Sequence, residues 1–291
     1  MNPPLFPEFK PLLLEDRPVI QEFFDRHPFE ASEYSFGNNF IWRHFDRPRW
    51  TVLCGNLCLV FDPPGQPSYA LAPVGESEIP KTIQTLLDVV PRLVRVPAAF
   101  IQKHGAGFLH EPERDAFDYV YATEDLAELQ GKKFDGKRNR IRKFEREHAW
   151  RYIPVNDSHR ETCQKLFEEW FAEKDDGAAM AVGQKTAIQE ALIHFRALGL
   201  SGGAIEVDGR FAALSIGEPL TRDTAVIHIE IVSPCCEGLA QIMNREFVRN
   251  AFRDFAFINR EEDLGIPGLR RAKLSYQPHH FVEKFRLERR L

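Results

Sequence analysis

GGAIEVDGRFAALSIGEP, residues 202–219, holds two β-rich runs separated by Asp208-Gly209. That dipeptide between alternating apolar residues is the strongest short-range hairpin signal, because both central positions of the favoured turn need positive φ. Reading outward from the hairpin organises the second half. Upstream, ETCQKLFEEWFAEKDD (161–176) sets Cys163, Leu166, Phe167 and Trp170 on one helical face, and QKTAIQEALIHFRALG (184–199) is a second helix stopped by Gly199. Downstream, a turn at 221–224 leads into AVIHIEIV (225–232), a third strand. Gly238 opens a helix over 239–254, FAFIN (255–259) is a strand, Pro267 suits the first turn of another helix, and FVEKFRLE (281–288) closes as a strand. The predicted order is α-α-β-β-β-α-β-α-β.

The first half echoes it. VIQEFFDRH (19–27) and EYSFGNNFIWRHF (33–45) read as helices, and residues 50–61 as a hairpin turning at Gly55-Asn56. SYALAPV (68–74) is a strand, EIPKTIQTLLDVV (78–90) a helix and AFDYVYA (116–122) a late strand. The repeat predicts two copies of one α/β (α+β) unit, residues 1–124 and 125–291, joined near 122–132. Each would be a mixed, mostly antiparallel sheet flanked by helices.

Composition narrows the function classes. The 291 residues are 43% hydrophobic and 28% charged, as in an ordinary globular protein, and 24 phenylalanines point to aromatic cores. A net charge of -5 argues against a chain dominated by nucleic-acid binding. The five cysteines, at 54, 58, 163, 235 and 236, form no disulfide framework, so a reducing cytoplasm is expected. Adjacent Cys235 and Cys236 are poorly placed to ligate one zinc, and no metal is expected. The start does not read as a signal peptide, and no apolar run approaches the ~20 residues that cross a bilayer. A lipid substrate would be met at the membrane surface.

Four segments share a further pattern: SEYSFGNNFIW (32–42), DYVYATEDLAELQGKKFDGKRNRIRKF (118–144), HIEIVSPCCEGLAQIMNREF (228–247) and INREEDLGIPGLRRAKLSYQP (258–278). In this order they resemble the bacterial family of unknown function related to the C-terminal domain of phosphatidylglycerol lysyltransferase. The element order is likewise similar to the acyl-coenzyme-A N-acyltransferase (GNAT) fold. The resemblance implies a tandem GNAT-like chain and an acyl or aminoacyl transferase, with acyl-CoA or aminoacyl-tRNA as donor and an amine or hydroxyl as acceptor.

Candidate site residues fall in these segments. Residues 132–146 carry eight Lys or Arg against Asp135 and Glu145. Ile141 and Phe144 have the spacing of a core-facing stripe, while Lys137, Arg138, Asn139 and Arg142 are candidates to hold phosphate beside Gly131 and Gly136. The plainer reading is a solvated basic helix. On 225–232, alternation puts His228 and Glu230 on one face, and a GNAT-like enzyme uses the end of this strand to set donor beside acceptor. Either could accept a proton; Glu230 could equally be a structural partner of Arg260 or Arg270.

FAFIN delivers Asn259, Arg260 and Glu261 to a strand end, where ligands gather in open α/β sheets. Arg270, Lys273 and Ser275 follow on or beside the next helix. Tyr276 comes where some GNAT enzymes keep a tyrosine that protonates the leaving group. SPCCEGLAQ (233–241) occupies the place of the pyrophosphate loop Arg/Gln-x-x-Gly-x-Gly/Ala. Gly238 and Ala240 match it, but Cys235 replaces the Arg/Gln and Glu237 adds a negative charge, which disfavours coenzyme A there. The rival reading is a non-catalytic module that binds a phosphate-bearing small molecule such as a nucleotide or phospholipid headgroup. Charged tRNA and peripheral lipid contact are the other expected partners.

Overall fold

The computed structural model describes residues 2–172 and 179–290. Its strands, in chain order, are β1 Lys10–Pro11, β2 Pro48–Leu53, β3 Asn56–Phe61, β4 Tyr69–Ala70, β5 Arg92–Pro97, β6 Phe108–Pro112 and β7 Asp118–Ala122. They continue as β8 Trp150–Val155, β9 Ser201–Val207, β10 Arg210–Pro219, β11 Thr224–Val232, β12 Phe257–Asn259, β13 His280–Val282 and β14 Lys284–Arg289. They form two mostly antiparallel sheets flanked by helices, ordered β1-β2-β3-β4-β5-β14-β6 and β13-β7-β12-β11-β10-β9-β8. Each sheet contains a parallel pair, β4 with β5 and β11 with β12. No helix among the described residues is long and apolar enough to cross a membrane.

The chain divides into two compact units. The first holds Met1–Asp118, Glu262–Pro267 and Phe281–Leu291, and the second Tyr119–Glu261 and Gly268–His280. The expected continuous halves, 1–124 and 125–291, differ from these units in three places: the first unit ends at Asp118 and takes both Glu262–Pro267 and Phe281–Leu291 from the second half. FVEKFRLE, read as one strand, is cut at Glu283 into β13, beside β7, and β14, between β5 and β6. In the first sheet β14 runs antiparallel to β5, and in the second β7 runs antiparallel to β12. Each sheet is thus completed, beside the partner of its parallel pair, by a strand from the other half of the sequence.

Local chemistry explains the hairpins. Asp208 and Gly209 both have positive φ, 50° and 81°, and join β9 to β10 with Arg210 opposite Val207. The first-half hairpin turns one residue earlier than expected. Cys54 and Gly55 take the positive φ values, 52° and 80°, and Asn56 already pairs with Leu53. Of 161–176, Arg160–Ala172 is helical, and 173–176 lie outside the described residues. The helix read over 184–199 is two, Ala179–Ile193 and Phe195–Leu198, the second ending at Gly199 in the left-handed region. Strands β1, β5, β6 and β8, too short or too polar to alternate clearly, were not expected.

The second unit's core gathers Tyr119, Tyr121, Phe134, Ile141, Phe144, Ile205, Phe247 and Tyr276, all buried. Ile141 and Phe144 enter it from the helix Asp135–Glu147, as their spacing predicts. Lys137 lies on the same i, i+4, i+7 stripe and is buried with them.

Candidate active site

β11 and β12 pair in parallel only from Thr224 opposite Phe257 to Val226 opposite Asn259. Beyond that point β11 continues to Val232, whereas the segment after Asn259 no longer pairs with β11 and stays hydrogen-bonded to Tyr119 of β7. Asn259 turns it: its Oδ1 accepts the N–H of Glu261 at 2.7 Å, and Glu261 takes φ 56°. Buried Lys273 secures the turn by donating to the carbonyls of Arg260 and Glu261. The separation leaves the side chains of β11 facing those after β12.

Two ion pairs cross this gap. Arg260 holds Glu230, with Nη2 at 2.8 and 2.9 Å from the two carboxylate oxygens and Nε at 3.2 Å. His228 stands between Glu218, 3.0 Å from Nε2, and Glu261, 2.7 Å from Nδ1. Burial opposes a charge on His228, but the two carboxylates outweigh it and lift the imidazole to about 10. His228 is therefore an imidazolium with both nitrogens engaged. Its two ring nitrogens thus face carboxylates, and a proton-accepting role would require one of these contacts to open.

Beside the Arg260–Glu230 pair, three elements converge on Tyr276. The ring lies 4.9 Å from the Arg260 guanidinium and 3.6 Å below Lys137 Nζ, with Tyr121 edge-on at 6.3 Å. Lys137 donates to Ser275 Oγ at 2.7 Å, and Ser275 in turn donates to the carbonyl of Ala272 at 2.6 Å. Burial, then the cations Arg260 and Arg140, lower Lys137 to about 8. Burial raises Tyr276 to about 12, with Arg260 pulling the other way. Arg260 Nη1 is buried and has no hydrogen-bond partner among the described residues. The arrangement joins a cation with a spare N–H, an amine that exchanges its proton near neutrality, and a phenol that keeps its own.

The other candidates are dispersed. Arg138 donates to the carbonyls of Leu129 and Gly131 and to Asp135, so it closes the start of its own helix. Arg142 is exposed and, among the described residues, donates to Asn139 at 3.3 Å. Arg270 is half-buried. In the 233–241 turn Gly238 and Leu239 are buried, while Cys235 and Glu237 are exposed. Glu237 pairs with Lys143 at 2.7 Å and Arg140 at 3.6 Å, and a Cβ on Gly238 would stand 2.5 Å from the Arg140 carbonyl. The basic helix thus covers the first turn of Leu239–Ala251.

The first unit holds a cluster the sequence reading missed. Lys284 Nζ, fully buried, contacts Glu33 and Asp118, each at 2.7 Å, and Arg95 Nε lies 3.3 Å from Glu33. Asp118 also accepts the N–H of Ser32 at 2.8 Å. Burial lifts Glu33 to about 7 against the pull of Lys284. The available signal was Lys284 in phase with Val282 on an alternating strand.

The sequence profile of the family described as phosphatidylglycerol lysyltransferase, C-terminal, matches residues 24–288. The chain belongs to this family. Among solved structures, a conserved protein of unknown function from Bacteroides thetaiotaomicron is similar at 30% identity and TM-score 0.89, over 97% of this chain and 99% of that one. L-PGS from Bacillus licheniformis matches at 16% identity and TM-score 0.64, over 94% and 92%. The C-terminal domain of a putative lysylphosphatidylglycerol synthetase from Agrobacterium fabrum matches at 14% and 0.65, over 95% and 92%. At those identities the last two establish a shared fold. No curated protein sequence matches the chain. Lys137, Arg260 and Tyr276 all lie within the matched residues.

Proposed function

We propose that this chain is an acyl or aminoacyl transferase built from two tandem GNAT-like units. The matching strand orders of the two sheets, each with a parallel pair at the corresponding place, support the tandem reading. The donor is an activated ester, aminoacyl-tRNA or acyl-CoA, and the acceptor an amine or hydroxyl. Packing of the 233–241 turn against Arg140 at Gly238, with the carboxylate of Glu237 beside it, favours aminoacyl-tRNA over coenzyme A in the standard pyrophosphate position. The names of the family and of its Bacillus and Agrobacterium relatives support a lipid acceptor met at a membrane surface.

One observation carries the catalytic reading: Lys137, lowered to about 8, lies 3.6 Å over the Tyr276 ring beside an Arg260 with an unpartnered N–H. The Arg260 guanidinium stabilises the negative charge that develops on the carbonyl oxygen. The acceptor attacks the carbonyl carbon, the acyl C–O bond of an ester or C–S bond of a thioester breaks, and Lys137 moves a proton from the acceptor to the leaving oxygen or sulfur. Glu230 fixes the guanidinium, Tyr276 supports both cations through its ring face, and Asn259, Glu261 and Lys273 shape the turn that presents Arg260. Lys137→Met tests this with aminoacyl-tRNA or acyl-CoA as donor and an amine or phosphatidylglycerol vesicles as acceptor. Transfer should fall by roughly 10²-fold or more with the fold intact. Unchanged transfer removes Lys137 from the mechanism.

The engagement of His228 by two carboxylates and of Glu230 by Arg260 favours a second reading, a non-catalytic module for a phosphate-bearing ligand. Saturable binding of donor without transfer, at any pH from 6 to about 9, would select it.

A further inference from the structure

The turn between β11 and the helix Leu239–Ala251 holds two adjacent thiols. Cys235 is exposed and Cys236 half-buried, and their Sγ atoms stand 2.9 Å apart. That is only ~0.9 Å beyond the length of a disulfide bond. Ser233 Oγ accepts the N–H of Cys235 at 3.4 Å within this turn, and the Cys236 side chain rests against the second unit's core. Neighbouring Cα atoms across a trans peptide lie ~3.8 Å apart, below the usual ~4.4–6.8 Å of a disulfide. A bridge between adjacent residues is therefore strained, and strained disulfides are the readily reduced ones.

We infer that Cys235 and Cys236 form a reversible dithiol–disulfide site that reacts with small-molecule disulfides of the glutathione class. Cys235 attacks, because it is exposed, while burial and the neighbouring sulfur push the Cys236 thiol up to about 12. The Cys235 thiolate displaces one thiolate from the small disulfide and forms a mixed disulfide. Cys236 then attacks Cys235 Sγ, forming the intrachain S–S bond and expelling the second thiolate. The two protons lost by the cysteines go to the two released thiols, so two protein thiols are oxidised as one disulfide is reduced. Glu237, the next residue, ties Lys143 and Arg140, so ring closure acts on the turn that carries this ion pair.

The full chain, incubated with oxidised glutathione, acid-quenched, alkylated and mapped by mass spectrometry, should yield a 235–236 disulfide that dithiothreitol reverses. Cys236→Ser should instead accumulate a glutathione adduct on Cys235. Phenylarsine oxide, which bridges two close thiols, should bind the reduced chain and lose roughly 10²-fold or more in affinity in Cys235→Ser and in Cys236→Ser. A stable Cys235 adduct in the unaltered chain, no reaction at either cysteine, or arsenical binding that survives both substitutions would overturn the inference.

Discussion

Arg260 and Glu230 face each other where β11 and β12 part, with three contacts of 2.8 to 3.2 Å, and Arg260 Nη1 lies buried beside them with no hydrogen-bond partner among the described residues. Glu230 balances the charge of the buried guanidinium. Glu230→Gln should lower the free energy of unfolding by about 2–3 kcal/mol, the low side for a broken buried pair because 26% of the Glu230 side chain is exposed. Urea unfolding measures it. An unchanged midpoint would leave Glu230 free for proton transfer and assign any loss of turnover to chemistry.

His228 makes stability depend on pH. Its folded value, about 10, is above its ordinary 6.5, so its contribution is complete below pH 6.5 and is lost as pH rises toward 10. Lys137 acts oppositely: lowered from 10.5 to about 8, its buried charge weakens the fold below pH 8, and that cost is relieved from pH 8 to 10.5. Between 6.5 and 8 the His228 loss therefore acts without relief from Lys137. The stability difference between the unaltered chain and His228→Gln should shrink steadily from pH 6.5 to 10 in chemical denaturation. A constant difference would mean that His228 is neutral in the folded chain.

Two glycines should respond in opposite directions. Gly238, at φ 96°, would bring a Cβ to 2.5 Å from the Arg140 carbonyl, so Gly238→Ala should cost more than about 1 kcal/mol. Gly136 lies in a helix with open space around its would-be Cβ, so Gly136→Ala should stabilise by about 0.4–1 kcal/mol. Thermal unfolding of the two variants under one condition compares them; equal shifts would contradict the close approach at Gly238.

Lys284 neutralises carboxylates that have no access to water. Lys284→Met should destabilise the first unit by about 3–5 kcal/mol, because Asp118 and Glu33 stay buried after their cation is gone. Without Lys284, which pulls Glu33 down, Glu33 rises above its value of about 7, so protonating it at neutral and lower pH should restore part of the loss. Hydrogen exchange at β5 and β6, which flank β14, reads the effect locally. Unaltered protection there would show that the cluster does not hold the strand.

The local periodicities were legible because they depend on a few neighbouring residues. Asp208-Gly209 specifies its own turn, alternation on 225–232 places His228 and Glu230 together, and the i, i+4, i+7 spacing sends Ile141 and Phe144 inward. The roles of the site residues were not legible, because they depend on partners distant in sequence. Lys137 is 138 residues from the Ser275 that receives its hydrogen bond, and Glu230 is 30 residues from Arg260. A lysine on an apolar stripe can be solvated or buried. Only the neighbours that assemble around it decide which, and with that its charge near neutral pH. The same holds for 281–288, whose composition says strand but not which sheet. Pairing of β14 between β5 and β6, with Lys284 turned onto Asp118, is a choice made by tertiary hydrogen bonds and a buried ion pair, which local sequence does not encode.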